Sequence, residues 1–173
     1  MSLPLYNIVI DDAETGIDRI SLVEMPAVES NFLAFSNKKQ IMFSANEEQQ
    51  MITGVLARAD YPIYRNDNQL GEYYIQFGKE VIKEMAEKLL VDGHQNWVNI
   101  EHIENSDVDG VYMIEMFLKD SKKGINPIGF EDISDGSLFA TFKVRNQKIW
   151  ECIKNGTFKG FSIEGLFCFE EVD

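Results

Sequence analysis

Short apolar or alternating runs, each closed within a few residues by a turn signal, dominate this chain and leave it little choice but a β-rich fold. The first covers residues 5–12 and closes on an acidic turn ending at Gly16; the second, Ile17 to Val23, stops at Met25-Pro26. Further β-like pieces are Phe32 to Phe35, Gln40 to Ser44, Gln50 to Ala57 with Gly54 inside it, Ile63 to Arg65, and Glu72 to Phe77. Trp97 to Ile103 is read as a strand, with Gly110 to Leu118 as its hairpin partner across the acidic loop 104–109. Leu138 to Arg145 and the C-terminal run complete a set of roughly eight or more strands. Only two stretches have a helical period. In Lys79 to Val91, Ile82, Met85, Ala86, Leu89 and Leu90 form one apolar stripe, ended by Asp92-Gly93. Gln147 to Lys154 follows a capping Asn146 and stops at Asn155-Gly156. Many short strands with short connections predict a β-barrel or sandwich decorated by helices, rather than a βαβ sheet. The exception to short connections is the long polar segment 119–137, whose length marks it as a candidate functional or mobile loop.

The run that follows the second helix carries the most chemical interest. Side chains alternate along a strand, so Phe161, Ile163, Gly165, Phe167 and Phe169 share an apolar face, while Ser162, Glu164, Leu166 and Cys168 share the other. Ser162 is thus expected to point away from the core, with Gly160 and Gly165 leaving room for another chain to approach its hydroxyl.

Composition narrows the function classes. A chain of 173 residues fits one domain, 1–173, and 45% hydrophobic content with 12 Phe, 6 Tyr and 2 Trp supports a packed core. It could also be a fragment of a longer protein. The 29 acidic against 16 basic residues, a formal charge of −13, argue against a nucleic-acid or anionic-membrane surface. Two cysteines, Cys152 and Cys168, suggest no disulfide framework, and no apolar run approaches the roughly 20 residues of a membrane span.

Two histidines, His94 and His102, are the available imidazoles. Strict alternation places His102 on the side of Val98 and Ile100; His94 follows the helix stop in a polar loop, where a solvated residue is expected. A zinc site built on the two is a third-ranked option, because their spacing matches no known ligand pattern. Gly160-Phe161-Ser162-Ile163-Glu164 lacks the second glycine of a nucleophile elbow, and no phosphate-binding or dinucleotide-binding loop is present. The residues alone give a β-rich domain with one candidate serine and one candidate histidine, and no cofactor or metal.

Taken in order, the runs Ile20-Ser21-Leu22-Val23-Glu24-Met25-Pro26-Ala27, Asn99-Ile100-Glu101-His102, Gly110 to Phe117, Gly136 to Val144, Ile149 to Gly156 and Gly160 to Gly165 resemble the phage prohead serine proteases, in the branch of phage and defective-phage serine proteases. That resemblance implies a herpesvirus-assemblin-like fold: a β-rich α+β domain with a closed β-barrel of about seven or more strands and a few flanking helices. It implies a serine endopeptidase that processes phage capsid or scaffold precursors during prohead maturation, in the host cytoplasm or the prohead interior, and that can cleave itself. It matches Ser162 to the nucleophile and His102 to the general base. For the third member, Glu115 on the expected hairpin partner of the His102 strand is the first choice, and Glu164, on the Ser162 face, is the second. The expected partner is a scaffold or capsid precursor protein, with no nucleic acid, no membrane and a possible homo-oligomer. The alternative is a catalytically inactive structural module of a phage particle.

Overall fold

A computed structural model describes residues 3–11, 14–27, 33–35 and 49–172 of the chain. The expected strand Gln40 to Ser44 lies outside the described residues. The strands are β1 (Leu5–Val9), β2 (Gly16–Val23), β3 (Leu33–Phe35), β4 (Met51–Ala57), β5 (Ile63–Asp67), β6 (Gly71–Gln76), β7 (Val98–Ile100), β8 (Val111–Leu118), β9 (Leu138–Val144), β10 (Gly160–Leu166) and β11 (Cys168–Glu171). The helices are α1 (Lys79–Val91) and α2 (Gln147–Lys154), with single 3₁₀ turns at His94–Asn96 and Ser121–Lys123.

The strands form three sheets, in the orders β11-β1-β6-β5, β10-β2-β7 and β3-β4-β9-β8. Among the described residues none closes on itself, so the expected closed barrel is replaced by three open sheets around a shared core. Closure requires an unbroken ladder around the ring. Here β10 lies beside β4, but among the described residues no ladder joins the two strands, and the Phe161 ring of β10 instead packs in the core against Phe142 of β9, 5.0 Å away. The largest fully buried side chains, including Trp150, Phe139, Phe142 and Phe161, belong to that one core.

Both helices sit where their periodicity puts them. On α1 the buried residues are Ile82, Met85, Ala86 and Leu89; Leu90, expected in the same stripe, is half exposed. The α2 helix is capped by Asn146, whose Oδ1 accepts from the backbone N–H of Lys148 and Ile149, an arrangement that contributes about 1 kcal/mol. It buries Ile149, Trp150 and Ile153, and delivers the chain through Gly156, at φ +82°, into β10.

Three local expectations change. First, the C-terminal run is two strands, not one. β10 pairs with β2, the chain turns at Phe167, and β11 pairs with β1 in another sheet. The apolar face therefore divides: Phe161 enters the core, Phe167 meets Phe77 edge-on at 5.6 Å, and Phe169 lies beside Tyr6 and Tyr73. Second, β7 and β8 are not a hairpin. β7 runs parallel to β2, and β8 pairs with β9. Third, segment 119–137 is anchored. The buried Lys119 ammonium donates to the backbone carbonyls of Phe130, Glu131 and Ile133, and Phe130 and Ile133 are themselves buried.

Candidate active site

The site forms on one face of the sheet β10-β2-β7, where three polar residues stand side by side. The registers pair Ser162 with Ser21, and Ser21 with Asn99. In an apolar strand such as β2, with Ile20, Leu22 and Val23 around it, a fully buried Ser21 must find hydrogen-bond partners. It finds three: its hydroxyl donates to Asn99 Oδ1, lies 2.8 Å from Glu164 Oε1, and lies 2.9 Å from His102 Nδ1.

His102 reaches that cluster because β7 ends early. Sequence alternation continues the strand to Ile103, but Glu101 and His102 adopt φ of +51° and +57°. Two successive non-glycine residues in the left-handed region cost on the order of 1–3 kcal/mol each. The surroundings hold them there. Glu101 N–H donates to the Leu22 carbonyl, the Glu101 carboxylate accepts from Glu24 N–H at 2.6 Å, and Ser106 Oγ bridges the backbone of Ile100 and Ile103. The turn swings the imidazole back over β2 rather than leaving it on the Val98 face.

Glu164, two residues after Ser162 on β10, completes the arrangement. Its Oε1 lies 2.8 Å from His102 Nδ1 and accepts from Asn99 Nδ2 at 2.7 Å. Burial pushes the Glu164 carboxyl toward higher pKa, but hydrogen bonds from Asn99, Ser21 and His102 outweigh it and hold the group below the ordinary carboxylate value. An ionised carboxylate only accepts, so its contact with Nδ1 assigns a hydrogen to Nδ1, and in the neutral imidazole the lone pair is then on Nε2. The N–H groups of Asn99 and His102 donate to Glu164, and the single Ser21 proton lies between two acceptors, Asn99 Oδ1 and Glu164 Oε1.

Ser162 and His102 both line a cavity of about 600 Å³, within the roughly 300–1,000 Å³ of ordinary ligand sites. Its walls come from β10, from Leu56 at the end of β4, and from Ile63, Ile75 and Phe77. Ser162 is half-buried, and as the cross-strand neighbour of Ser21 its Cβ stands about 5 Å from that of Ser21. Among the described residues, the hydrogen bonds of His102 go to Ser21 and Glu164, and none goes to Ser162. Of the two paired serines, Ser162 lines the cavity and Ser21 is fully buried.

Glu115 is elsewhere. It is an exposed residue of β8, opposite Thr141 of β9, in a different sheet from the strand that leads to His102. The structure brings Glu164 to the imidazole instead. His94 is stacked on Trp97 with ring centroids 3.9 Å apart, and its Nδ1 is buried without a hydrogen-bond partner among the described residues, so the expected solvated position is corrected. Among the described residues no three His, Cys, Asp or Glu side chains gather as a metal ligand set. Ser21 and Asn99 are contributions that reading for motifs passes over; the available signal was a polar residue at the centre of an apolar strand.

The family described as "Putative phage serine protease XkdF" matches residues 38–170, a span that takes in Asn99, His102, Ser162 and Glu164. No curated protein and no solved structure matches the chain. None of the helices among the described residues is long and apolar enough to cross a membrane. With about three quarters of its length inside the matched span, the chain belongs to this family of phage serine proteases.

Proposed function

We propose that the protein is a serine endopeptidase in which Ser162 is the nucleophile, His102 the general base and Glu164 the residue that orients the imidazole. The observation that carries this reading is the Glu164 carboxylate held against His102 Nδ1, at the wall of the cavity that Ser162 lines. In the first step His102 Nε2 takes the Ser162 proton as Oγ forms a bond to the scissile carbonyl carbon. Collapse of the tetrahedral intermediate breaks the C–N bond, and the imidazolium returns the proton to the leaving amine. Water, deprotonated by the same base, then hydrolyses the acyl-enzyme. Asn99 and Ser21 act as positioning residues that keep Glu164 ionised and aimed.

The substrate is an extended peptide segment of a phage capsid or scaffold precursor, with self-cleavage a property of the same site. Family membership supports the phage setting, and the geometry of β10 supports the extended peptide. Among the described residues β10 has one ladder partner, β2, so the strand that carries Ser162 offers its other edge for strand addition. The second reading, an inactive structural module of a phage particle, is favoured by the missing Ser162–His102 hydrogen bond. Catalytic contacts are commonly long in a free enzyme and tighten with substrate.

Fluorophosphonate labelling followed by intact mass separates the two. The protease reading predicts one adduct on the unmodified protein and none on Ser162→Ala or His102→Ala. An adduct that survives Ser162→Ala refutes this choice of nucleophile, and no adduct on the unmodified protein supports the inactive module.

A further inference from the structure

The cavity beside Ser162 is mostly apolar, yet five charged or titratable side chains line it: Asp18, Arg19, Arg65, His102 and Glu164. Four are accounted for. Glu164 and His102 are bound to each other and to Ser21, Arg19 is ion-paired to Asp107 and lies over the Trp97 ring, and Asp18 is exposed to water. Arg65 differs. It stands on β5 two residues after the buried Ile63, on the same strand face, opposite the buried Tyr73 of β6. Among the described residues its guanidinium makes one hydrogen bond, to the Tyr64 carbonyl at 3.1 Å, and no ion pair. Burial pulls its pKa below the usual guanidinium value, which reports lost hydration that no carboxylate restores. A guanidinium has five donors in a planar fork that matches a carboxylate. In a chain of net charge −13, a cation in the cavity wall without a carboxylate partner among the described residues stands out.

We propose that Arg65 is a specificity determinant of this site: its guanidinium receives a carboxylate of the bound peptide, an Asp or Glu side chain near the scissile bond. The apolar surface of Ile63, Ile75 and Phe77 seats the neighbouring side chain. The proposal rests on the reading of Ser162 as nucleophile, so its test must tell the two apart.

Two fluorophosphonates of equal alkyl length, one tail ending in a carboxylate and the other in a carboxamide, provide that test. Labelling rates at Ser162 are read by intact mass, and the ratio within each variant is independent of how much of that variant is folded. The carboxylate probe is expected to react about tenfold faster with the unmodified protein, the scale of one charge-assisted contact. Arg65→Gln brings the ratio to one or below, Arg65→Lys leaves an intermediate preference, and Arg65→Glu inverts it. Should Arg65→Gln fail to fold, Arg65→Lys still decides. A ratio of one in the unmodified protein overturns the specificity proposal and leaves the nucleophile standing. Preference that persists through these substitutions removes Arg65 as its source, and no labelling by either probe overturns the catalytic reading and this proposal together.

Discussion

Glu164 and His102 meet at 2.8 Å although 62 positions separate them in the chain, and Ser162 precedes Glu164 by two residues on the same strand face. One strand therefore supplies both the hydroxyl at the cavity and the carboxylate behind the imidazole. A shift of β10 against β2 by one residue would turn both away together.

Glu164→Gln is expected to slow fluorophosphonate labelling of Ser162 by about a hundredfold or more, because the amide no longer fixes the Nδ1–H tautomer. Glu164→Asp should recover part of the rate. Glu115→Gln, altering an exposed residue of another sheet, should label at the unmodified rate. Equal losses in Glu115→Gln and Glu164→Gln would sink the assignment of Glu164.

The same carboxyl has a pH signature. Its folded pKa lies below the ordinary carboxylate value, so the ionised form is favoured by folding. That stabilisation is present above the unfolded value and disappears as pH falls through the folded one. Urea midpoints of the unmodified protein and Glu164→Gln should therefore differ at pH 7 and converge in strong acid. Midpoints separated by the same amount at both ends would show that the carboxyl's ionisation plays no part.

Ser162→Ala and Ser21→Ala should behave oppositely. The first removes the adduct and changes stability by less than about 0.5 kcal/mol, as at a half-buried cavity wall. The second keeps the adduct at a reduced rate but costs about 1–3 kcal/mol, because Asn99 Oδ1 loses a buried donor. Mass spectrometry and chemical denaturation together read both; an adduct on Ser21 would reverse the roles.

Gly165→Ala should be severely destabilising. A Cβ there would stand 1.8 Å from the Gly16 carbonyl oxygen, backbone that cannot move aside, at the register shift between Glu164 and Gly165. A loss of about 3 kcal/mol or more is expected by urea titration, with labelling reduced as Glu164 shifts. A neutral substitution would mean that the bulge opens freely.

Lys119→Met keeps the length of the side chain and removes the ammonium from three backbone carbonyls. It should cost about 2–4 kcal/mol through unsatisfied buried acceptors and speed amide exchange in the segment between Pro127 and Ser137. Unchanged exchange there would show that Phe130 and Ile133 alone hold the segment.

The local periods of the sequence determined the two helices, with α1 and α2 lying at the predicted 79–91 and 147–154, and a β-strand that carries Ser162. They did so because amphipathic spacing and caps are properties of a few neighbouring residues. Only tertiary structure decided what those elements do together. Whether β7 paired with β8 or β2, and whether the sheets closed, depended on ladders between distant segments, about which alternation is silent. His102 was legible as a residue but not in its place, since the left-handed turn at Glu101 and His102 is stabilised by Leu22 and Glu24 from another strand. The contact between Ser21 and Glu164 spans 143 positions. A buried serine and asparagine become part of a site only when folding removes water from them and leaves each other as partners.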